Sequence, residues 1–125
     1  MLHASLVAFL NGAMSAEALW NEIETEVGEC VAAMAKRGSV APVILTAGPE
    51  TQVTRTHVDV LLAACAEAML PLEAGSYIAD ALILSDTFEW EDDAIEEAIF
   101  FLSDDSAPLT LADVKEAHGR FAMAG

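Results

Sequence analysis

Apolar residues recur at spacings of three and four along nearly the whole chain, a period that commits it to helices. The row Leu19, Ile23, Val27, Cys30 and Met34 shows the pattern, and Glu22, Glu26 and Glu29 form a second stripe on the opposite side. A short helix is predicted over His3 to Leu10, stopped by Asn11-Gly12. Ser15 reads as the N-cap of the next helix, with Glu17 in a first turn that favours acid. That helix runs to about Ala35, with Lys36-Arg37 at its C-terminal end and Gly38 ending it.

Residues 39–55 break the period. Val40, Val43, Ile44 and Leu45 surround Pro42, Ala47 to Glu50 reads as a turn, and Thr51 to Arg55 is β-permissive. The segment is an apolar extended linker or a small hairpin. An isolated hairpin is marginal in water, which favours the linker.

Thr56 to Asp59 then resembles a capping box and opens a helix to about Met69, with Val58, Leu61, Leu62, Cys65, Ala68 and Met69 inward. Pro71 suits the first position of a helix reaching about Ser85. Tyr77, Ile78, Ala81, Leu82 and Leu84 crowd one side of it and Ile83 faces away. A helix apolar nearly all round belongs at the centre of the packing. Further helices are predicted over Glu91 to Ser103 and from Thr110-x-x-Asp113 to about Phe121. The expected architecture is all-α: a single domain over residues 1–125, a bundle of five or six helices with one irregular or hairpin-like connection near residues 38–55.

Charge is distributed very unevenly over this frame. From Thr56 to Val114 there is no Lys or Arg, against fourteen Asp and Glu. Nine of those acids lie between Asp86 and Asp105, with Phe88, Trp90, Phe100 and Phe101 among them. The net charge is −16, yet 54% of residues are hydrophobic, so this is not a disordered acidic tail. Phosphate backbones and anionic membrane surfaces would be repelled. The run Val60 to Ala66 falls far short of the roughly 20 apolar residues of a membrane span. Met1 to Leu10 lacks the leading positive charge of a secretory signal and reads as part of the fold. Cys30 and Cys65 read as buried free thiols in a reducing cytosol.

Projected at 100° per residue, the acidic helix points Ala94, Ile95, Ala98, Phe101 and Leu102 one way, with Ile99 at the border. Asp92, Asp93, Glu96 and Glu97 point the other way, and Phe100 falls among them. An aromatic ring ringed by carboxylates suits docking of a basic protein: charge steers the partner in and the ring anchors it. The candidate contacts are Glu89, Asp92, Asp93, Glu96, Glu97 and Phe100, extended by Asp104 and Asp105. Against this, a neighbouring segment would cover Phe100, Trp90 would staple back on the core, and the acids would be a solvated face.

No catalytic residue, cofactor site or metal site is assigned. His57 and Asp59 are too close along a helix to share a face, His3 and His118 are solitary, and no Glu-x-x-His accompanies Glu22, Glu26 and Glu29. Asp80, among apolar neighbours, reads as a tie to another helix rather than an acid/base group. The chain is not read as an enzyme. The alternative to docking is self-association through an apolar face, a homodimer whose acids serve solubility.

The stretches Tyr77-Ile78-Ala79-Asp80-Ala81-Leu82, Ser85-Asp86 with Phe88-Glu89-Trp90, Glu96-Glu97-Ala98-Ile99 to Leu102-Ser103-Asp104, and Pro108-Leu109-Thr110 resemble small all-helical bacterial proteins of the colicin-immunity-like kind. The resemblance spans roughly residues 54–121 and leaves the first half unexplained. It implies a cytoplasmic protein that binds and neutralises a toxin domain. Many such toxins are basic nucleases, whose phosphate-binding sites an acidic inhibitor can occupy.

Overall fold

The computed structural model describes residues 1–34, 43–104 and 109–124. Within them the helices are α1 His3–Leu10, α2 Ala16–Met34, α3 Arg55–Ala66, α4 Leu72–Leu84, α5 Asp93–Ser103 and α6 Leu111–Ala124. Two short strands, β1 Thr51–Val53 and β2 Phe88–Trp90, pair in parallel. The all-α bundle expected from the period is therefore what forms, with one small sheet added. Lys36, Arg37, Gly38, Val40, Pro42, Asp105 and Pro108 lie outside the described residues.

Packing follows the apolar rows. Leu19, Ile23, Val27 and Cys30 are all buried along α2. The central place expected for α4 is real: it packs on α2, α3 and α5, and α3 packs most extensively on α6. Both expected caps at Ser15 and Thr110 form, accepting hydrogen bonds from the Ala18 and Asp113 amides at 3.1 Å.

Several apolar residues assigned inward lie outward instead. Met34 is 54% exposed, Met69 54% and Leu84 70%, and Ala68 is exposed with a φ of 58°. Each stands at or past the end of its helix, where the buried direction continues but no described neighbour covers it. In α3 the helix stops at Ala66, before Ala68 and Met69. Pro71 is the N-cap of α4 rather than its first residue.

The described part of the connection before α3 is irregular, as expected, and is not a hairpin. Residues 43–50 have no regular structure, and Thr51–Val53 pairs with Phe88–Trp90 across two intervening helices. The Val43 to Leu45 run is pinned instead by side chains. The Tyr77 hydroxyl accepts the Ile44 amide at 2.9 Å and donates to Glu26, which also holds the Met1 amino group at 2.7 Å. Glu26 thus turns inward from its acidic stripe, because the Tyr77 hydroxyl and an ammonium wait there. Burial, with the Glu26 hydrogen bond second, pushes the Tyr77 phenol above its ordinary pKa.

The capping box of α3 lies two residues earlier than Thr56 to Asp59. Thr54 accepts the His57 amide at 3.3 Å, and His57 Nδ1 accepts the Thr54 amide at 3.2 Å. The ring proton then sits on Nε2, 2.6 Å from Asn11 Oδ1. Desolvation lowers the His57 pKa from its ordinary 6.5, against the opposing pull of Glu91 and the Gln52 carbonyl. A histidine with a folded pKa below its unfolded value stabilises fully above 6.5, and that contribution is lost as pH falls from there towards the folded value. Thr54→Ala is expected to cost about 1 kcal/mol in urea unfolding. His57→Gln, which can keep the box, should reduce the loss of stability between about pH 7.5 and 5.5. An equally steep decline in that variant would place the titration elsewhere.

Candidate docking surface on the acidic helix

Helix α5 begins two residues later than the acid run suggests. Glu91 follows β2, and Asp92 is the N-cap: its Oδ1 accepts the Ile95 amide at 3.1 Å. Its Oδ2 accepts from Arg55 Nε at 2.7 Å. Desolvation pushes the Asp92 carboxyl up, but the Arg55 guanidinium and the Ile95 and Ala94 amides together outweigh it and hold the pKa low. Asp92 therefore works inside the fold, joining the start of α3 to the start of α5. Asp93 and Glu96 sit in the first turn, where the helix dipole favours negative charge.

The buried row of α5 is Ile95, Ile99 and Leu102. Ile99 is therefore at the centre of that face rather than its border. Ala94, Ala98 and Phe101 are half-buried to one side. They line a groove of about 270 Å³ with Glu97 and with Ala117, Arg120 and Phe121 of α6. Ser103 donates to Asp80, so Asp80 ties α4 to the last turn of α5, as its apolar setting suggests.

Phe100 lies on the opposite side, 49% exposed. Glu96 and Glu97 precede it by four and three residues and Asp104 follows by four, which are neighbouring positions on a helix. Asp93, Glu96, Glu97 and Asp104 are all exposed. Glu89 is exposed on the outward face of β2, while Trp90 is half-buried and packs on the core from the strand. Of the eight candidate residues, the structure thus gathers Asp93, Glu96, Glu97, Phe100 and Asp104 on α5 or at its end. It sets Glu89 on β2 and assigns Asp92 to the cap. Asp105 is outside the described residues.

No protein-family model, curated protein or solved structure matches this chain. Arg55 is the residue that helical projection passed over. Besides holding Asp92, its guanidinium carbon stands 5.9 Å from the Phe121 ring centroid. Its position just before the Lys- and Arg-free stretch was the only trace of this in the sequence.

Burial raises the Cys65 thiol to about 12 and, together with nearby Asp80, raises Cys30. Neither supplies a thiolate nucleophile. His118 Nε2 lies 2.9 Å from Asp59 Oδ1, so it is not solitary. Among the described residues, no group of three His, Cys, Asp or Glu side chains is placed to hold a metal ion. No helix of the described residues is long and apolar enough to cross a membrane.

Proposed function

We propose that this chain is a non-catalytic binding domain that docks a basic protein on the exposed face of α5. The carrying observation is Phe100, an aromatic ring left half in water amid Asp93, Glu96, Glu97 and Asp104 while Ile99 beside it is buried. Opposite charge raises the rate of encounter, and a desolvated aromatic slows departure. Glu89 extends the field towards β2, and Asp105 follows Asp104 in sequence. Asp92 contributes charge but is already committed to Arg55 and the helix cap. The resemblance to colicin-immunity-like proteins makes a basic toxin domain in a bacterial cytoplasm the favoured partner.

The test is a triple reversal, Asp93→Lys with Glu96→Lys and Glu97→Lys. Against a basic partner captured at low salt, association should slow by about tenfold or more and its salt dependence should flatten. Circular dichroism would control for the lost dipole interactions of Asp93 and Glu96. Unchanged association in a folded triple mutant would remove the site assignment. A salt-insensitive dimer that buries Phe100 would instead support self-association, with the acids serving solubility.

A further inference from the structure

We propose that the outer edge of β2 accepts an extended basic segment as a third strand, which rests on the reading that the partner is basic and adds how it binds. Pairing of β1 with β2 sets Thr51 opposite Phe88, Gln52 opposite Glu89 and Val53 opposite Trp90. At the two ends of the ladder the Thr51 amide donates to the Thr87 carbonyl at 2.7 Å and the Glu91 amide to the Val53 carbonyl at 3.1 Å. Those bonds fix the parity of the strand. Thr87, Glu89 and Glu91 aim their main-chain groups at β1, so Phe88 and Trp90 aim theirs away from it.

Among the described residues, the amides and carbonyls of Phe88 and Trp90 make no hydrogen bond outside the ladder. Main-chain groups left unpaired in this way persist where water reaches them, and they form a template for another strand. The opposite edge is less free. On β1 only Gln52 aims its main-chain groups away from β2, and the chain turns directly into α3 at Thr54. Of the two edges, the one on β2 therefore offers the longer run of unpaired main-chain groups among the described residues.

Charge selects what fits there. The run Thr87 to Glu91 contains no Lys or Pro, the residues that commonly blunt an edge. It carries Glu89 and Glu91, both exposed, with exposed Asp86 just before it. A second copy would set Glu89 and Glu91 against the same acids, which opposes pairing. A strand alternating basic and small apolar residues is matched on both faces. Its cations meet Glu89 on the solvent side, and its apolar residues lie beside half-buried Trp90 on the inner side. Such a segment would continue from the sheet into the acidic field of α5.

The experiment uses the full chain and a synthetic peptide alternating lysine with valine. A second peptide has the same residues but is N-methylated at every central position, so it keeps its charges and loses its main-chain donors. Amide exchange followed by NMR should slow at Phe88 and Trp90 by about tenfold or more when the first peptide binds. The methylated peptide should bind at least about tenfold more weakly. Glu89→Lys with Glu91→Lys should abolish binding while leaving the helical spectrum intact. Equal binding of the two peptides would overturn the proposal. So would perturbation confined to Asp93 through Phe100, which would leave the basic-partner reading standing. Absence of binding by either peptide also overturns it, and the triple reversal on α5 then judges that reading separately. A dimer that protects Phe88 and Trp90 without peptide would give the edge to a second copy and overturn the basic strand.

Discussion

Ile99→Ala is expected to destabilise the fold by about 2–5 kcal/mol, while Phe100→Ala next to it changes stability by less than about 1 kcal/mol. Ile99 is 1% exposed and sits between Ile95 and Leu102, both fully buried, on the face that α5 packs against α4 and α3. Truncation there removes transfer free energy and leaves a cavity that tightly packed neighbours fill only in part. Phe100 has no such setting. At 49% exposed it loses only part of its apolar burial on truncation, and alanine's better helix propensity returns about 0.5 kcal/mol. Its effect should show in binding instead, as dissociation from a basic partner accelerated by about tenfold or more. Urea unfolding of both variants, with partner dissociation for Phe100→Ala, separates the two roles. If Phe100→Ala costs as much stability as Ile99→Ala, the ring is structural and the docking face loses its anchor.

Helical angle left open whether a neighbouring segment covers Phe100, but its direction among the acids was legible in the sequence. So were the buried row Leu19, Ile23, Val27 and Cys30 and the caps at Ser15 and Thr110, which need nothing beyond their own helix. Interactions across the fold were not. Glu26 looks like any solvent-facing acid until Tyr77, fifty-one residues on, arrives beside it. Asp92 looks like part of a docking patch until Arg55, thirty-seven residues earlier, binds it. The strands β1 and β2 have three residues each, too few to display alternation, and their pairing closes over α3 and α4. Angle also says where Met34 and Leu84 point but not whether a neighbour extends that far. The His57 capping box escaped for a different reason: histidine is not the usual partner three residues after a threonine cap, and Thr56 to Asp59 matched the familiar pattern better.

Gly48→Ala should destabilise the protein by about 1–3 kcal/mol, and the loss should shrink when His3 is also replaced by alanine. A Cβ at position 48 would fall far inside contact distance of the His3 Cγ and Nδ1 atoms. The ring has little room to yield. It is 3% exposed and stacked on Phe88, with centroids 5.1 Å apart and planes 20° from parallel. Its own backbone is held as well, since the His3 amide donates to Thr46 Oγ1 at 2.9 Å. The same contact therefore fastens α1 and the irregular 43–50 segment to the inner face of β2. Displacing the ring would strain the strand whose outer edge is offered to a partner. Thermal unfolding of Gly48→Ala, His3→Ala and the double variant gives the coupling directly. A coupling of about 1 kcal/mol or more assigns the glycine to the ring's packing. Additivity within about 0.5 kcal/mol would mean that the cost at position 48 arises away from the ring, and that His3 is packed by other neighbours.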